Sequence, residues 1–509
     1  MRRFIFVASA SFATFALSVL SAPGCGSDDE SSSSSSGNAS GSSSGCEGFG
    51  CSPDGGGQKP GCVGRECEIP NCNGSFTATT LSGVVKDPAG KVPIFNAIVY
   101  VPNTDVAEIP TGASCDRCDA KVSGSPIAIA NTDVEGKFKL EGVPVPPSGK
   151  LPVIVQIGKW RRTVTINAPT ACQDTVIDAG DGPGVFRLPK NRSEGNIPRI
   201  AIATGAADPL QCLFRKIGLE DSEFGVKGSE ARIHLYEGGG DSTIPKNPTK
   251  TVGANAMTSA EALWGSVDDL KTYDIVVLGC EGTENDLPGN ATHKPAAAKT
   301  ALYDYAKAGG RVFTSHYHYT FFSTSNAPAD TQGTGTWRAS PEVTPPPAIP
   351  GNPATTAVNA SFPATPFPKA QAMKDWLTKQ NALNGDGTLP IFDARHNIDS
   401  VADGKALAWL NVTNPNAGGA NAVQYMSFNA PVGAPEDQIC GRVVFSDLHV
   451  GQGKDSDGVT GPDDPTDAVS FPAGCVTKEL SAQQKALEFM LFDLSSCVQK
   501  DDNPVSIPK

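Results

Sequence analysis

Two hydrophobic patterns divide the chain. Between residues 76 and 190, short apolar runs at 97–101, 151–157 and 163–166 are separated by turns at 87–90 and 133–136 that contain Gly, Asp or Pro. Short apolar or alternating runs bounded by such turns are typical of antiparallel strands. This pattern predicts a β-sandwich over residues 76–190.

The second pattern begins after residue 196 and alternates buried strands with helices. The predicted strands are residues 200–203, 232–236, 274–278, 311–314, 423–428 and 442–446, and the predicted helices are 210–217, 295–308 and 482–496. We expect Asp208 to cap the first helix, and Ser481 with Gln484 to form a capping box on the last. The alternation predicts an α/β doubly wound, flavodoxin-like sheet over residues 196–509, with an irregular insertion at about 321–420.

The N-terminal residues indicate export. Arg2 and Arg3 precede an apolar stretch at 4–20, and small residues precede Cys25. This arrangement predicts a signal peptide over residues 1–24. A cysteine in this position resembles the lipidated cysteine of bacterial lipoproteins, so we expect a lipid anchor at Cys25 that holds the protein at the cell envelope, on the outer membrane or cell surface. Ala22 stands where Leu is usual, and free secretion is the alternative.

Composition and net charge indicate which segments are flexible and which ligands the chain is expected to bind. Residues 25–75 are rich in Ser and Gly and then in Cys, which predicts a flexible tether. The net charge of −13 comes with no basic cluster, and this excludes nucleic acid as an expected ligand. The chain has 14 Cys, and in an exported protein we expect disulfides. For Cys115 and Cys118 we favour structural disulfides, with Cys172 as a candidate partner, over a metal or redox pair.

Two family resemblances support this division. Residues 82–91, 96–97 and 132–140 resemble the carboxypeptidase regulatory-like domain, a small β-sandwich that serves mainly as a spacer or docking module. Residues 273–279, 302–312 and 441–445, with His316 and His449, resemble the class I glutamine amidotransferase-like superfamily and its trehalose-utilisation-type branch. The whole chain resembles surface lipoproteins inferred in myxobacteria, a resemblance that implies no established activity.

The amidotransferase chemistry itself is not expected here. That chemistry needs a Cys nucleophile at a sharp strand-to-helix turn and a His-x-Glu motif. The turn after the strand at 311–314 carries His316, and the residue two positions after His449 is Gly451. Cys280 follows a strand, but a different one. We therefore expect no glutaminase activity.

Five polar residues follow predicted strands, at the strand ends where open α/β sheets bind their ligands. They are Glu281, His316, His318, Asp447 and His449. A divalent metal held by His316, His318 and His449 is one hypothesis, and hydrogen-bonded remnants of an ancestral site are the other.

The sequence favours a lipid-anchored cell-envelope protein with a non-catalytic role, in which a degenerate amidotransferase-like domain binds a glycan or an envelope protein. The alternative is a hydrolase or metal-dependent enzyme that acts on a sugar-like substrate at the switch point of the α/β sheet.

Overall fold

Most of the chain that follows the tether is described in a computed structural model. The described residues are 59–177, 185–240, 249–290, 292–338, 357–392, 394–414, 419–449, 470–475 and 479–506. The signal peptide, Cys25 and most of the tether lie outside them. Residues 56–509 form one compact unit. Within the described residues, no helix combines the length and the apolar character needed to cross a bilayer.

The N-terminal part of this unit is built from two small sheets. Its strands are β1 (Thr80–Val84), β2 (Ile98–Pro102), β3 (Pro126–Asn131), β4 (Lys137–Glu141), β5 (Lys150–Ile157), β6 (Trp160–Asn167), β7 (Asp174–Val176) and β8 (Gly195–Asn196). The strand orders are β3-β2-β5-β6-β8 and β4-β1-β7. In β4, Phe138 and Leu140 are buried between exposed neighbours, as alternation predicts for a strand with one solvated face. We call residues 76–196 the sandwich.

The remaining described residues contain the other strands and all the α-helices. In chain order they are β9 (Ile200–Ala203), α1 (Leu210–Lys216), β10 (Phe224–Val226), β11 (Ile233–Glu237), β12 (Thr251–Val252), β13 (Asn255–Ala256), β14 (Thr258–Ser259), α2 (Glu261–Trp264), α3 (Val267–Lys271), β15 (Ile275–Leu278), α4 (Ala296–Lys307), β16 (Arg311–Ser315), α5 (Thr320–Ser323), α6 (Ala329–Gln332), β17 (Gly335–Trp337), β18 (Val358–Ala360), α7 (Pro368–Lys379), β19 (Leu389–Ile391), β20 (Ile398–Val401), β21 (Leu407–Asn414), β22 (Ala420–Ala430), β23 (Gly441–Ser446) and α8 (Ala482–Ser495).

One nine-stranded sheet organises these elements. Its order is β10-β11-β9-β15-β16-β23-β22-β21, with β14 paired to β11. The pairs from β10 to β23 are parallel, and β22 and β21 add to β23 as antiparallel strands. The four central parallel strands, β9, β15, β16 and β23, therefore end at the same edge of the sheet.

Alternate residues of the central strands enter two different apolar layers. Val277 and Phe313 belong to the layer that contains α1, α8 and the interior of the sandwich. Val276 and Val312 belong to the layer formed with α2, α3 and α4. Because successive side chains of a strand point to opposite faces, apolar strands such as β15 are covered on both sides.

The expected capping box is present at the start of α8. The hydroxyl of Ser481 accepts a hydrogen bond from the N–H of Gln484, whose side chain accepts from the N–H of Ser481. Helix α1 follows Pro209, whose side chain has no polar atom that could cap it. The carboxylate of Asp208 accepts a hydrogen bond from the hydroxyl of Ser315, at 2.6 Å, and so contributes a tertiary contact.

The insertion contains more regular structure than its composition suggests. Where residues 321–420 are described, they include helix α7 and five strands, β17 to β21. Strand β21 pairs with β22 along its length and extends the main sheet. A Pro- and Ala-rich composition predicts irregular structure. Pro368, however, is the first residue of α7, a position at which a helix tolerates proline.

Disulfides connect the sandwich to the main sheet. Cys115 pairs with Cys440 and Cys118 pairs with Cys497. The two cysteines of this motif are therefore structural, as expected, but Cys172 is not their partner. Three further bonds join Cys62 to Cys67, Cys72 to Cys172 and Cys212 to Cys475. Five disulfides fit an oxidising compartment outside the cytoplasm.

Candidate functional site

Three loops bring side chains together at the carboxyl edge of the main sheet. Cys280 lies two residues after β15, His316 directly after β16 and His449 three residues after β23. These strands are parallel neighbours in the order β15, β16, β23. The edge where parallel strands end is where open α/β sheets bind ligands. All three side chains are buried, and His449, the most accessible, is 3% exposed.

His316 occupies a strained position. Its φ angle is +37°, in the left-handed region that non-glycine residues rarely adopt. The chain passes there from β16 directly into a 3₁₀ turn, His316–Tyr319. This sharp strand-to-helix turn presents an imidazole at the edge of the sheet. Backbone strain of this kind persists where the surrounding structure enforces it, often at functional sites.

The three side chains meet through their metal-ligating atoms. Cys280 Sγ lies 3.4 Å from His316 Nδ1. His316 Nδ1 lies 3.1 Å from His449 Nε2. Their ligand atoms all lie within 4.8 Å of one another. We call these three residues the Cys-His-His cluster.

These separations fit a tetrahedral metal ion. Zinc binds imidazole nitrogen at about 2.0–2.1 Å and thiolate sulfur at about 2.3 Å, which places two nitrogens roughly 3.3 Å apart and a sulfur and a nitrogen roughly 3.6 Å apart. The distances from His316 Nδ1 to Cys280 Sγ and to His449 Nε2 differ from these values by a few tenths of an ångström. One thiolate and two imidazoles also form a donor set that suits zinc.

The electrostatics of the cluster favour a thiolate. Burial raises the pKa of the Cys280 thiol, but the charges of His449 and His316 outweigh burial and bring that pKa down to about 5. Cys280 is the one cysteine without a disulfide among the described cysteines. At the sheet edge, the described chain therefore places a reduced sulfur beside two imidazoles.

His318 does not join the cluster. Its Nε2 lies 2.9 Å from the carbonyl oxygen of Gly279, to which it donates a hydrogen bond. Its ring packs edge-on against Trp264. Burial lowers the pKa of His318 to about 4, so the imidazole is neutral at pH 7. The His-x-His spacing suggested paired ligands, but the 3₁₀ turn directs the two rings apart. His318 instead supports the loop that carries Cys280.

Glu281 is committed to an ion pair. Its carboxylate accepts hydrogen bonds from Lys294 Nζ at 2.7 Å, Asn285 Nδ2 at 3.0 Å and the N–H of Gly239 at 2.9 Å. Burial alone would raise the pKa of Glu281, but Lys294 holds it at about 2. These contacts fix the residue after Cys280 and so help to orient the thiol.

Asp447 and Gln483 secure the loop that carries His449. The carboxylate of Asp447 accepts a hydrogen bond from the N–H of Asn397, in the insertion. Gln483, buried on α8, donates to the carbonyl oxygen of His449 at 2.8 Å and accepts from the N–H of Phe392 at 2.8 Å. The insertion and the last helix together therefore hold His449 in place.

Of the five residues that the sequence singles out, the structure brings His316 and His449 together and gives other contacts to His318, Glu281 and Asp447. The residue of the cluster that sequence reasoning missed as a candidate ligand is Cys280. The available signal was its position after a buried strand, the same signal that identified the histidines.

Comparisons with known proteins add little. No protein-family model matches the chain, and no curated protein does. Among solved structures, a cytoplasmic protein, STM3548 from Salmonella typhimurium, aligns with 60% of this chain and 100% of its own, at 10% identity and a TM-score of 0.28. A 9R-lipoxygenase from Cyanothece PCC8801 aligns with 20% of this chain and 16% of its own, at 15% identity and a TM-score of 0.12. Neither score carries an argument about fold or activity.

Proposed function

We propose that this chain is an exported metalloprotein whose Cys-His-His cluster binds one transition-metal ion of the zinc type. The observation that carries the proposal is the convergence of Cys280 Sγ, His316 Nδ1 and His449 Nε2 at the separations of tetrahedral ligands. Each residue comes from a different strand end, so the site depends on the tertiary fold and not on one local motif.

The described residues supply three ligands, and this number favours a catalytic centre over a purely structural one. Structural zinc sites usually have four protein ligands, whereas catalytic sites keep the fourth position for water or substrate. A metal ion in such a site lowers the pKa of bound water and polarises carbonyl groups. We therefore propose a metal-dependent hydrolase. A sugar-like substrate follows from the resemblance to the trehalose-utilisation-type branch.

The cellular setting is part of the proposal. The disulfides support a compartment outside the cytoplasm. We propose that Cys25 is lipidated and that the tether holds the folded part at the cell envelope, by the resemblance to lipoprotein signals. The sandwich resembles the carboxypeptidase regulatory-like domain and the main sheet the amidotransferase-like fold, with a doubly wound, flavodoxin-like core.

A non-catalytic role is the second candidate, and burial favours it. The side chains of Cys280 and His316 are fully buried, and that of His449 nearly so. A metal ion enclosed in this way would stabilise the fold while the protein binds a glycan or an envelope partner.

Metal analysis of the purified mature chain tests the proposal. We expect one zinc per chain, and after exchange with cobalt(II) an absorption band from charge transfer between thiolate and metal. The band should be absent in Cys280→Ser, while a serine at Cys62 and Cys67, far from the cluster in sequence, should leave it intact. Exchange of the remaining cobalt ligand by added azide or cyanide would support the catalytic role, and an inert spectrum would support the structural one.

Absence of stoichiometric metal after growth and refolding with zinc and cobalt would refute the proposal. Rapid alkylation of Cys280 by iodoacetamide in that metal-free protein would then indicate a cysteine nucleophile activated by His316.

A further inference from the structure

A buried pair of carboxyl groups lies where the sandwich meets the last helix. Asp87 stands in the turn after β1, Glu488 lies midway along α8, and both residues are 1% exposed. One oxygen of Asp87 accepts hydrogen bonds from the N–H groups of Lys91 and Val92. Neither carboxyl oxygen of Glu488 has a hydrogen-bond partner among the described residues. A buried carboxylate without a partner carries a large desolvation cost, so the presence of Glu488 at this position needs a physical explanation.

The contact region around the pair is apolar and closely packed. Phe489, the residue after Glu488, stacks on Phe95 of the sandwich with ring centroids 5.7 Å apart. Trp376 of α7 packs on Phe489 from the other side and donates Nε1–H to the carbonyl of Pro93 at 2.8 Å. We call this contact region between the sandwich, α7 and α8 the seam. The other carboxyl group that lines the seam is Asp493, which pairs with Arg442 and Lys369. Asp87 is the carboxyl group whose charge acts on Glu488.

The charged groups on the elements packed around the pair have other partners. They are Lys91, Lys216, Glu479 and Lys485, with Lys369 and Lys379 on α7, which pair with Asp493 and with Glu135. Lys91 lowers the pKa of Asp87 and Lys485 that of Glu488, but burial outweighs both. Lys91 pairs with Glu479 at the surface. Lys216 of α1 donates to the side-chain oxygen of Gln484, and Lys485 donates to the carbonyl of Gln380. No ion pair of the described residues includes Asp87 or Glu488, so no cation neutralises the pair directly.

A proton can neutralise the pair instead. Burial raises the pKa of Asp87 to about 6, against the hydrogen bonds from its turn. Burial and the nearby charge of Asp87 raise the pKa of Glu488 well above its ordinary value. Two carboxyl groups in one apolar contact region resist ionising together. The folded chain therefore holds protons here that the unfolded chain releases.

We propose that Asp87 and Glu488 form a proton-dependent latch between the sandwich and α8. While the pair keeps its protons the seam is closed, and as pH rises the negative charges that appear there weaken it. Because the folded pKa values are raised, the stabilisation is complete below the ordinary carboxyl pKa of about 4. The stabilisation is lost as pH rises through the folded-state pKa of each group, which is about 6 for Asp87 and higher for Glu488. This inference does not depend on the proposed metal site.

Denaturant unfolding of the mature chain between pH 5 and pH 8 tests the latch. Glu488→Gln keeps the shape of the side chain and removes its charge. We expect the unfolding equilibrium constant of the wild type to rise at least roughly tenfold more over this range than that of the variant, since each unit of pKa shift corresponds to a factor of ten. Glu141→Gln, at an exposed position on β4, should follow the wild type.

Hydrogen exchange gives a readout that does not need a variant. After correction for the intrinsic pH dependence of exchange, the amides of residues 87–94 and of α8 should lose protection as pH rises, while those of β15 and β16 should not. Parallel stability curves for the wild type and Glu488→Gln would overturn the latch. Stabilisation by millimolar calcium at pH 8 that Glu488→Gln abolishes would overturn it too, since the pair would then be a cation site.

Discussion

Cys280 Sγ lies 3.4 Å from His316 Nδ1, although the two residues are 36 positions apart in the chain. The contact exists because β15 and β16 are parallel neighbours, paired from Ile275 with Arg311 to Leu278 with Thr314. In this register, the residues that follow the two strands emerge side by side. His449 reaches the same point because β23 pairs with β16. The site is therefore a direct product of strand order.

Replacement of His316 by asparagine should abolish metal binding without unfolding the protein. Asparagine tolerates a positive φ better than most residues, so His316→Asn removes the imidazole while the left-handed backbone stays accessible. We expect loss of the cobalt charge-transfer band and a melting temperature near that of metal-free wild type.

His318→Gln is the matched control, because its amide can still donate a hydrogen bond to Gly279. This variant should retain the metal. Metal loss in His318→Gln with retention in His316→Asn would mean that the wrong histidine has been assigned to the cluster.

Removal of the disulfide between Cys115 and Cys440 should destabilise the fold. The bond joins residues 325 positions apart and ties the sandwich to the start of β23. Replacing both cysteines by serine should lower the free energy of unfolding by about 2–4 kcal/mol, measured in denaturant, because long cross-links restrict the unfolded chain most.

The bond between Cys62 and Cys67 spans only 5 positions, and its removal should cost less. An equal loss in both double-serine variants would show that the constraint on the unfolded chain is not the source of the stabilisation.

The ion pair of Arg187 with Glu194 should make the fold acid-sensitive. Two hydrogen bonds from the Arg187 guanidinium, at 2.6 and 2.5 Å, hold the pKa of Glu194 at about 2. A lowered pKa stabilises the fold above the ordinary value of about 4.3, and this contribution disappears as pH falls toward 2.

At pH 7, Glu194→Gln should therefore lose about 2 kcal/mol of unfolding free energy, and the gap to wild type should close between about pH 4.5 and 2. The exposed Glu108→Gln should show no such gap. A gap for Glu194→Gln that stays constant with pH would point to lost packing and not to charge.

Replacement of Cys25 by serine should release the protein from the membrane fraction. A thioether-linked lipid needs the cysteine thiol, whereas serine cannot accept it. We expect the variant to appear in the soluble fraction with an unchanged melting temperature, and the wild type to incorporate radiolabelled fatty acid. A wild-type chain that never incorporates label would contradict the anchor.

Local sequence patterns were informative wherever neighbouring residues decide the structure. The capping box of Ser481 and Gln484 forms as expected, because its hydrogen bonds span three residues. The six predicted strands are all present, because continuous apolar runs require burial on both faces. The contact of the Asp208 carboxylate with the hydroxyl of Ser315 was not predictable in this way, since the two residues are 107 positions apart.

The sequence by itself determined six strands and three helices of the main sheet and its layers, the candidate edge of the sheet and two of the three residues in the cluster. Hydrophobic period and strand ends are local properties of the chain. The tertiary structure decided the rest. Parallel pairing of β15 with β16 added Cys280 to the two histidines, and the 3₁₀ turn sent His318 away from them. Packing of the sandwich on the main sheet selected Cys440 and Cys497 as the partners of Cys115 and Cys118. Each of these outcomes joins residues far apart in the chain, and only the folded backbone sets which of them meet.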